Sequence, residues 1–169
     1  MATNTYIGLG TNNGLTEVVP ATVGGSSNAG QIVALNSSGQ LDTTMMPSGV
    51  GADAITATAG VALSAGNFVN LYNNAGTLQA QLADCSTGLP ADGYVLAAVA
   101  SGSTGTVYLN DQNTSAGTSL TPGLAYFLST AGAISSTAPT TSGYISQVIG
   151  FAISATGVQF RPSQPVTLA

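Results

Sequence analysis

Histidine, lysine and tryptophan are all missing from the 169-residue chain, and Arg161 is its only cation. Without histidine the usual general base near neutral pH and the commonest metal ligand are lost together. Ser-His and Cys-His nucleophile systems are therefore excluded. A single cysteine, Cys85, rules out an intramolecular disulfide. Together with a few carboxylates it does not complete a tetrahedral zinc site, and a free cysteine of this kind is ordinarily a small buried hydrophobe. One cation against a net charge of -5 cannot build a phosphate-neutralising surface, so nucleic acid is excluded as a direct partner. Long apolar runs are lacking as well. The longest, Tyr94 to Ala100, falls far short of the roughly 20 residues of a membrane helix, and no basic segment precedes an apolar stretch at the start, so no membrane partner and no cleavable signal are expected.

The six acids are Glu17, Asp42, Asp53, Asp84, Asp92 and Asp111. A glycosidase needs two carboxylates that the fold brings together, and nothing in their spacing points to such a pair. Around Asp111 the sequence Asn110-Asp111-Gln112-Asn113 lacks the alternating acids and terminal Glu of a calcium loop and reads as a solvated turn. Asp84 and Asp92 flank Thr87-Gly88-Leu89-Pro90 and read as loop carboxylates that cap nearby backbone amides. Gly8-Leu9-Gly10 and Gly24-Gly25 are not nucleotide loops, since no Lys follows and neither joins a strand to a helix. No enzyme activity, metal or cofactor is expected.

What the chain does contain is neutral polarity. Charged residues make up 4%, against roughly 25% in an average soluble protein. Thr, Ser, Asn and Gln number 59, so hydroxyls and amides must cover most of the wetted surface. The apolar share of 44% and a mean hydropathy of +0.34 are those of a chain that can form a core, not of a disordered one.

That apolar material is unevenly placed. Nine of the ten aromatics follow residue 67, and only Tyr6 precedes them. Residues 1–54 hold short apolar pieces such as Ile32-Val33-Ala34-Leu35 and Met45-Met46-Pro47 between Gly, Ser and Asn, which can dock on a partner but not close a core. They are expected to form an extended N-terminal arm or small attachment region. Within it Ile32, Val33 and Leu35 are candidates for an added strand, and Leu41, Met45 and Met46 for insertion into a partner's groove. Asp42 can cap a short helical turn that follows it.

From residue 55 to 169 short β-type runs recur every 8 to 15 residues between Gly, Asn, Ser and Pro, the spacing of an all-β antiparallel sandwich or barrel, with a jelly-roll-like arrangement among the options. Phe68 to Tyr72 and Thr77 to Leu82 form a hairpin about Asn73-Asn74-Ala75-Gly76. Tyr94 to Ala100, apolar on both alternating faces, is expected to be a central strand buried on two sides or against a neighbouring subunit. Thr106 to Leu109, Tyr126 to Ser129, Ala133 to Ser135, Gln147 to Ser154 and Gly157 to Phe160 supply further strands.

Several of these segments together resemble the head decoration proteins, also called capsid cement or head-fibre proteins, of tailed bacteriophages. The resembling residues are Gly30 to Asn36 with Gly39 to Asp42, Ala65 to Asn70, Leu120 to Leu128, and Gln147 to Thr156. Where such proteins often show His before Gly, this chain has Asp92 before Gly93. The resemblance implies a non-enzymatic structural protein, made in the bacterial host cytoplasm, that binds the major capsid protein on the outer surface of the virion as a homotrimer. The Gly30 to Asp42 stretch also resembles linkers of phage tail fibres. The competing reading is accordingly a tail-fibre or receptor-binding module that recognises host glycans through hydroxyls, amides and the faces of Tyr108, Tyr126 and Tyr144.

Overall fold

Turn chemistry sets the strand boundaries. In the computed structural model the run after Asn67 becomes β4 (Phe68–Asn74), which returns as β5 (Thr77–Leu82) in the register Asn74↔Thr77. The two loop residues Ala75 and Gly76 both take positive φ, +50° and +88°. That is the conformation a two-residue hairpin demands, and it is why a glycine stands at Gly76.

The structure describes residues 5–9, 14–22, 32–35, 37, 39–42, 45 and 53–169. The chain divides into two units, 1–51 and 52–169. In the first, β1 (Tyr6–Leu9) and β2 (Leu15–Val18) form an antiparallel hairpin, and Ala21 makes a parallel bridge to Val33. Met45 donates its N–H to the Asp42 carbonyl at 3.0 Å in a single tight turn, where the capped turn is expected.

In the second unit, β3 (Ala54–Ala59), β4, β5, β6 (Gly93–Tyr94) and β7 (Thr104–Tyr108) close a barrel in the order β3-β5-β4-β6-β7. An open sheet runs β10-β9-β12-β13-β8, from β8 (Asp111–Asn113), β9 (Ala125–Leu128), β10 (Ile134–Ser135), β12 (Val148–Ala152) and β13 (Val158–Phe160). β11 (Ile145–Ser146) pairs with β14 (Val166–Thr167). The protein is all-β. Among the described residues its strand pairs are antiparallel except β3 with β5, which is parallel and joins Thr58 and Ala59 to Gln79 and Ala80. Barrel plus open sheet, rather than two stacked four-stranded sheets, is what takes the place of a jelly roll.

Two apolar clusters hold this unit. One fills the barrel with small and β-branched side chains, among them Ala57, Ala59, Val69, Ala80, Val95 and Val107. The other joins barrel to sheet: Phe68 and Tyr94 from the barrel meet Phe160 from β13 with ring centroids 5.6 Å apart in both pairs, beside Leu128, Ile149 and Val158. Tyr94 also stacks on Tyr108 at 5.4 Å, and its hydroxyl donates to the Asn110 carbonyl at 3.0 Å. Burial, and after it the nearby Asp111 and Tyr108, push the Tyr94 phenol up to about 12, so it stays neutral and stays a donor.

The Tyr94 to Ala100 run departs from expectation. Only Gly93 and Tyr94 are strand; the chain bends at Leu96 and Ala97, Ala97 and Ala98 are exposed, and Val99 pairs with Leu63 through two 2.9 Å hydrogen bonds. Gly105 explains where Val99 goes. A Cβ there would meet a Val99 methyl at 2.5 Å, so the bare glycine leaves the room that Val99 occupies. The run therefore leaves the edge of β7 instead of lining it.

Candidate functional site

Of the six candidate attachment residues, five lie among the described residues and Met46 lies outside them. Ile32, Val33 and Leu35 sit together in one extended segment and are 54%, 49% and 61% exposed. Among the described residues Ala21 alone pairs with this segment, along one side: its N–H donates to the Ile32 carbonyl at 3.0 Å, and its carbonyl accepts from Ala34 at 2.8 Å. Leu41 is exposed, and Met45 is half-buried in the turn that follows Asp42.

Sequence reasoning missed a second group in the same unit. Thr5, Ile7, Leu15 and Glu17 share one face of the β1–β2 hairpin, with the Thr5 hydroxyl donating to Glu17. Ile7 is 71% exposed and Leu15 78%. The signal was present in Asn12-Asn13-Gly14, a turn sequence that β-type residues flank on both sides. Among the described residues of this unit Ala21 is the only buried apolar side chain, while Ile7, Leu15, Val19, Ile32, Val33, Leu35 and Leu41 stay exposed. A lone two-stranded hairpin is marginal in water, so such a surface gains stability from whatever covers it.

The second unit presents a different picture. Its buried polar side chains, Asn70, Asn113 and Gln147, are committed to internal hydrogen bonds. Buried Gln147 accepts from the Ala91 N–H at 2.8 Å and donates to the carbonyls of Ala91 and Ser163, both at 3.2 Å. Buried Asn113 donates to the Gly66 carbonyl at 2.9 Å and accepts from Ser115 at 3.1 Å. Asp92 accepts from the Leu71 N–H at 2.8 Å and the Asn70 amide at 2.9 Å, so it braces β4 across the strand rather than its own loop. Among the described residues no buried side-chain nitrogen or oxygen lacks a partner, and no three His, Cys, Asp or Glu converge as a metal site. No described helix is long and apolar enough to cross a membrane.

Of Tyr108, Tyr126 and Tyr144, Tyr126 alone is buried; the other two are half-buried and each lines a surface cleft. Tyr126 is buried and its hydroxyl accepts from the Thr121 N–H at 3.0 Å, Tyr108 lies against Tyr94, and Tyr144 is half-buried beside the core. Cys85 is buried in the core, as a small hydrophobe; burial, and then neighbouring Asp84, push its thiol up and away from the reactive thiolate.

Asp84 behaves as a loop carboxylate with an added reach. One oxygen accepts from the Ser86 N–H at 2.8 Å and hydroxyl at 2.6 Å, and the other from the Ala131 N–H at 2.9 Å in the β9–β10 turn. Burial alone raises its pKa. Hydrogen bonds from the Ser86 hydroxyl and the N–H groups of Ala131, Ser86 and Thr87 outweigh that and leave it below 3.8. A carboxyl lowered on folding stabilises the fold fully above its unfolded value and ceases to do so as pH falls through its folded value. Melting between pH 5 and pH 2 should therefore show a loss of stability below pH 4 that is smaller in Asp84→Ala. The same substitution should cost about 1–2 kcal/mol at pH 7, a charge-assisted hydrogen-bond value reduced for partial exposure. An unchanged acid profile in the variant would count against this role.

No protein-family model matches the chain, and no curated protein matches it. Among solved structures it is similar to the N base of the head fiber gp8.5 of bacteriophage phi29, with 16% sequence identity over 69% of this chain and 92% of that one, at a TM-score of 0.44.

Proposed function

We propose that the chain is a structural component of a tailed-bacteriophage virion, a homotrimer that decorates the outer capsid surface and stabilises it by burying apolar area across neighbouring copies of the major capsid protein. The observation that carries this reading is the first unit's exposed apolar surface: among its described residues seven large apolar side chains are exposed and only Ala21 is buried, whereas the second unit closes two apolar clusters and leaves Val61, Leu78, Leu124, Phe151, Ile153 and Val166 exposed around them. The resembling segments support it. Ala65 to Asn70 leads into β4, Leu120 to Leu128 ends in β9, and Gln147 to Thr156 contains β12, so these three resembling segments fall on the frame of the second unit, while Gly30 to Asn36 and Gly39 to Asp42 belong to the first. Leu41, Met45 and Met46, with the hairpin face of Ile7 and Leu15, insert into the capsid shell. A surface of hydroxyls and amides keeps the protein soluble without charge that salt would screen.

Removing residues 1–54 tests the assignment. The remaining chain is expected to stay soluble, to melt cooperatively and to lose capsid binding in a co-sedimentation assay with emptied heads. Full-affinity decoration by the truncated chain would place attachment on the second unit and overturn the assignment.

A further inference from the structure

The barrel is closed at the β6–β7 seam by a single residue pair, Tyr94↔Tyr108. On its other side β7 pairs with β3 over its whole length, Tyr108↔Ala54 to Thr104↔Thr58. The hydrogen bonds that continue this ladder past both strand ends fix its phase: Leu109 donates to the Asp53 carbonyl at 2.7 Å, and Ala59 donates to the Ser103 carbonyl at 2.9 Å. In an antiparallel ladder bonded and unbonded pairs alternate. Gly105 and Val107 thus spend their backbone groups on β3, as do the Ser103 carbonyl and the Leu109 N–H, and Thr104, Thr106 and Tyr108 turn theirs the other way. Tyr108 meets Tyr94. Thr106 and Thr104 would meet Leu96 and Ala98 had the strand continued, but the chain bends away there and Val99 pairs with Leu63. What remains is a cleft of about 490 Å³, with Leu96, Ala98 and Val99 on one side and Thr104, Thr106 and Tyr108 on the other. None of the residues that line it is charged.

An extended peptide that adds to this edge must bring two alternate residues with free backbone groups, no charge and a small residue between them. The chain itself contains such a segment. In Ile32 to Leu35 the Ile32 carbonyl and the Ala34 N–H are bound to Ala21, which turns the N–H and C=O of Val33 and Leu35 to the opposite side. Laid antiparallel on β7, Val33 falls opposite Thr106 and Leu35 opposite Thr104, each as a doubly hydrogen-bonded pair. The same register sets Ile32 opposite Val107 and Ala34 opposite Gly105, where Val99 already fills the space and a small residue is required. Neither surface carries a carboxylate, so two copies of a chain with net charge -5 meet here without opposing charges.

We infer that the cleft beside β7 is a strand-addition site for the Ile32–Leu35 segment of a second copy of this chain, which links neighbouring protomers by an exchanged strand. This rests on the self-association included in the reading above and names its contact. Strand addition draws its affinity from main-chain hydrogen bonds and its selectivity from alternate side chains, and exchange between identical subunits is a low-cost route to oligomers.

The test uses the full chain and no capsid, so its failure leaves the virion reading standing. Copies carrying Val33→Cys and tagged copies carrying Thr106→Cys are mixed and treated with a short bismaleimide; Cys85 is buried and out of reach. A cross-linked product that contains both kinds of chain is expected. Absence of that product overturns the pairing, and a Val33→Cys/Thr106→Cys chain that closes on itself as a monomer overturns the second copy as occupant. In parallel, Thr106→Pro removes only a donor directed away from β3, which an edge position tolerates. Its self-association by analytical ultracentrifugation is expected to weaken about tenfold, the worth of the lost hydrogen bond. Wild-type assembly by a folded Thr106→Pro chain overturns the inference, and if that variant does not fold the cross-link decides.

Discussion

Phe160→Ala is expected to destabilise residues 52–169 by about 3–5 kcal/mol, the range for a large aromatic removed from a packed interior. The ring is fully buried and touches both Phe68 and Tyr94. Phe160 belongs to the open sheet, and its two ring partners belong to the barrel. Removing it opens the joint between the two rather than the interior of either. Small alanines and valines inside the barrel cannot shift to fill the space, because the β4–β5 hairpin and the β3–β7 ladder hold them in register. For a unit of this size 1 kcal/mol corresponds to about 4 °C in Tm, so a drop on the order of 15 °C should appear in a thermal melt. A drop of only a few degrees would mean that barrel and sheet do not share a core.

Gly66→Ala should be as damaging, for a backbone reason. Gly66 has φ +88°, and a Cβ built on it would lie 1.8 Å from the Ser115 carbonyl oxygen. Neither side can yield. The Gly66 N–H donates to the Val95 carbonyl at 2.7 Å, its own carbonyl accepts from buried Asn113, and Asn113 in turn holds the Ser115 N–H. Left-handed strain of about 1–3 kcal/mol combines with an overpacking cost of similar size, for a total of roughly 3 kcal/mol or more. Gly76→Ala is the control. It has the same φ of +88° but open space around it, so it should lose only about 1 kcal/mol, the conformational part alone. Equal melting temperatures for the two variants would contradict the crowding at Gly66.

Local signals in the chain carried the fold a long way. Asn73-Asn74-Ala75-Gly76 reads as a hairpin turn because only a few residue types tolerate its dihedrals, and the pairing Asn74↔Thr77 follows. The same holds for Gly132, whose φ of +73° lies between paired β9 and β10. Tyr94 to Ala100 shows where local reading ends. Its composition is that of a buried strand, yet Leu63 and Gly105, distant in sequence, determine where Val99 goes, and the strand stops at Tyr94. Asp84 was legible as a loop carboxylate through Ser86, but Ala131 as its second partner was not. Gln147 reaches Ala91 across 56 positions, a pairing that no window of sequence contains. The exposed segment from Ile32 to Leu35 was legible because it lacks neighbours with which to build a core. The open edge of β7 was not, since such an edge arises only when an expected strand fails to form.

The central claim, that this chain coats the outside of a phage head, is tested most directly by its copy number per particle. Quantitative mass spectrometry against the major capsid protein, on purified particles that carry the chain, gives that number. Decoration of capsid sites by trimers requires hundreds of copies, in a fixed ratio to the major capsid protein and removable without opening the shell. A few dozen copies or fewer, fractionating with tails, would contradict capsid decoration and assign the chain to a fibre.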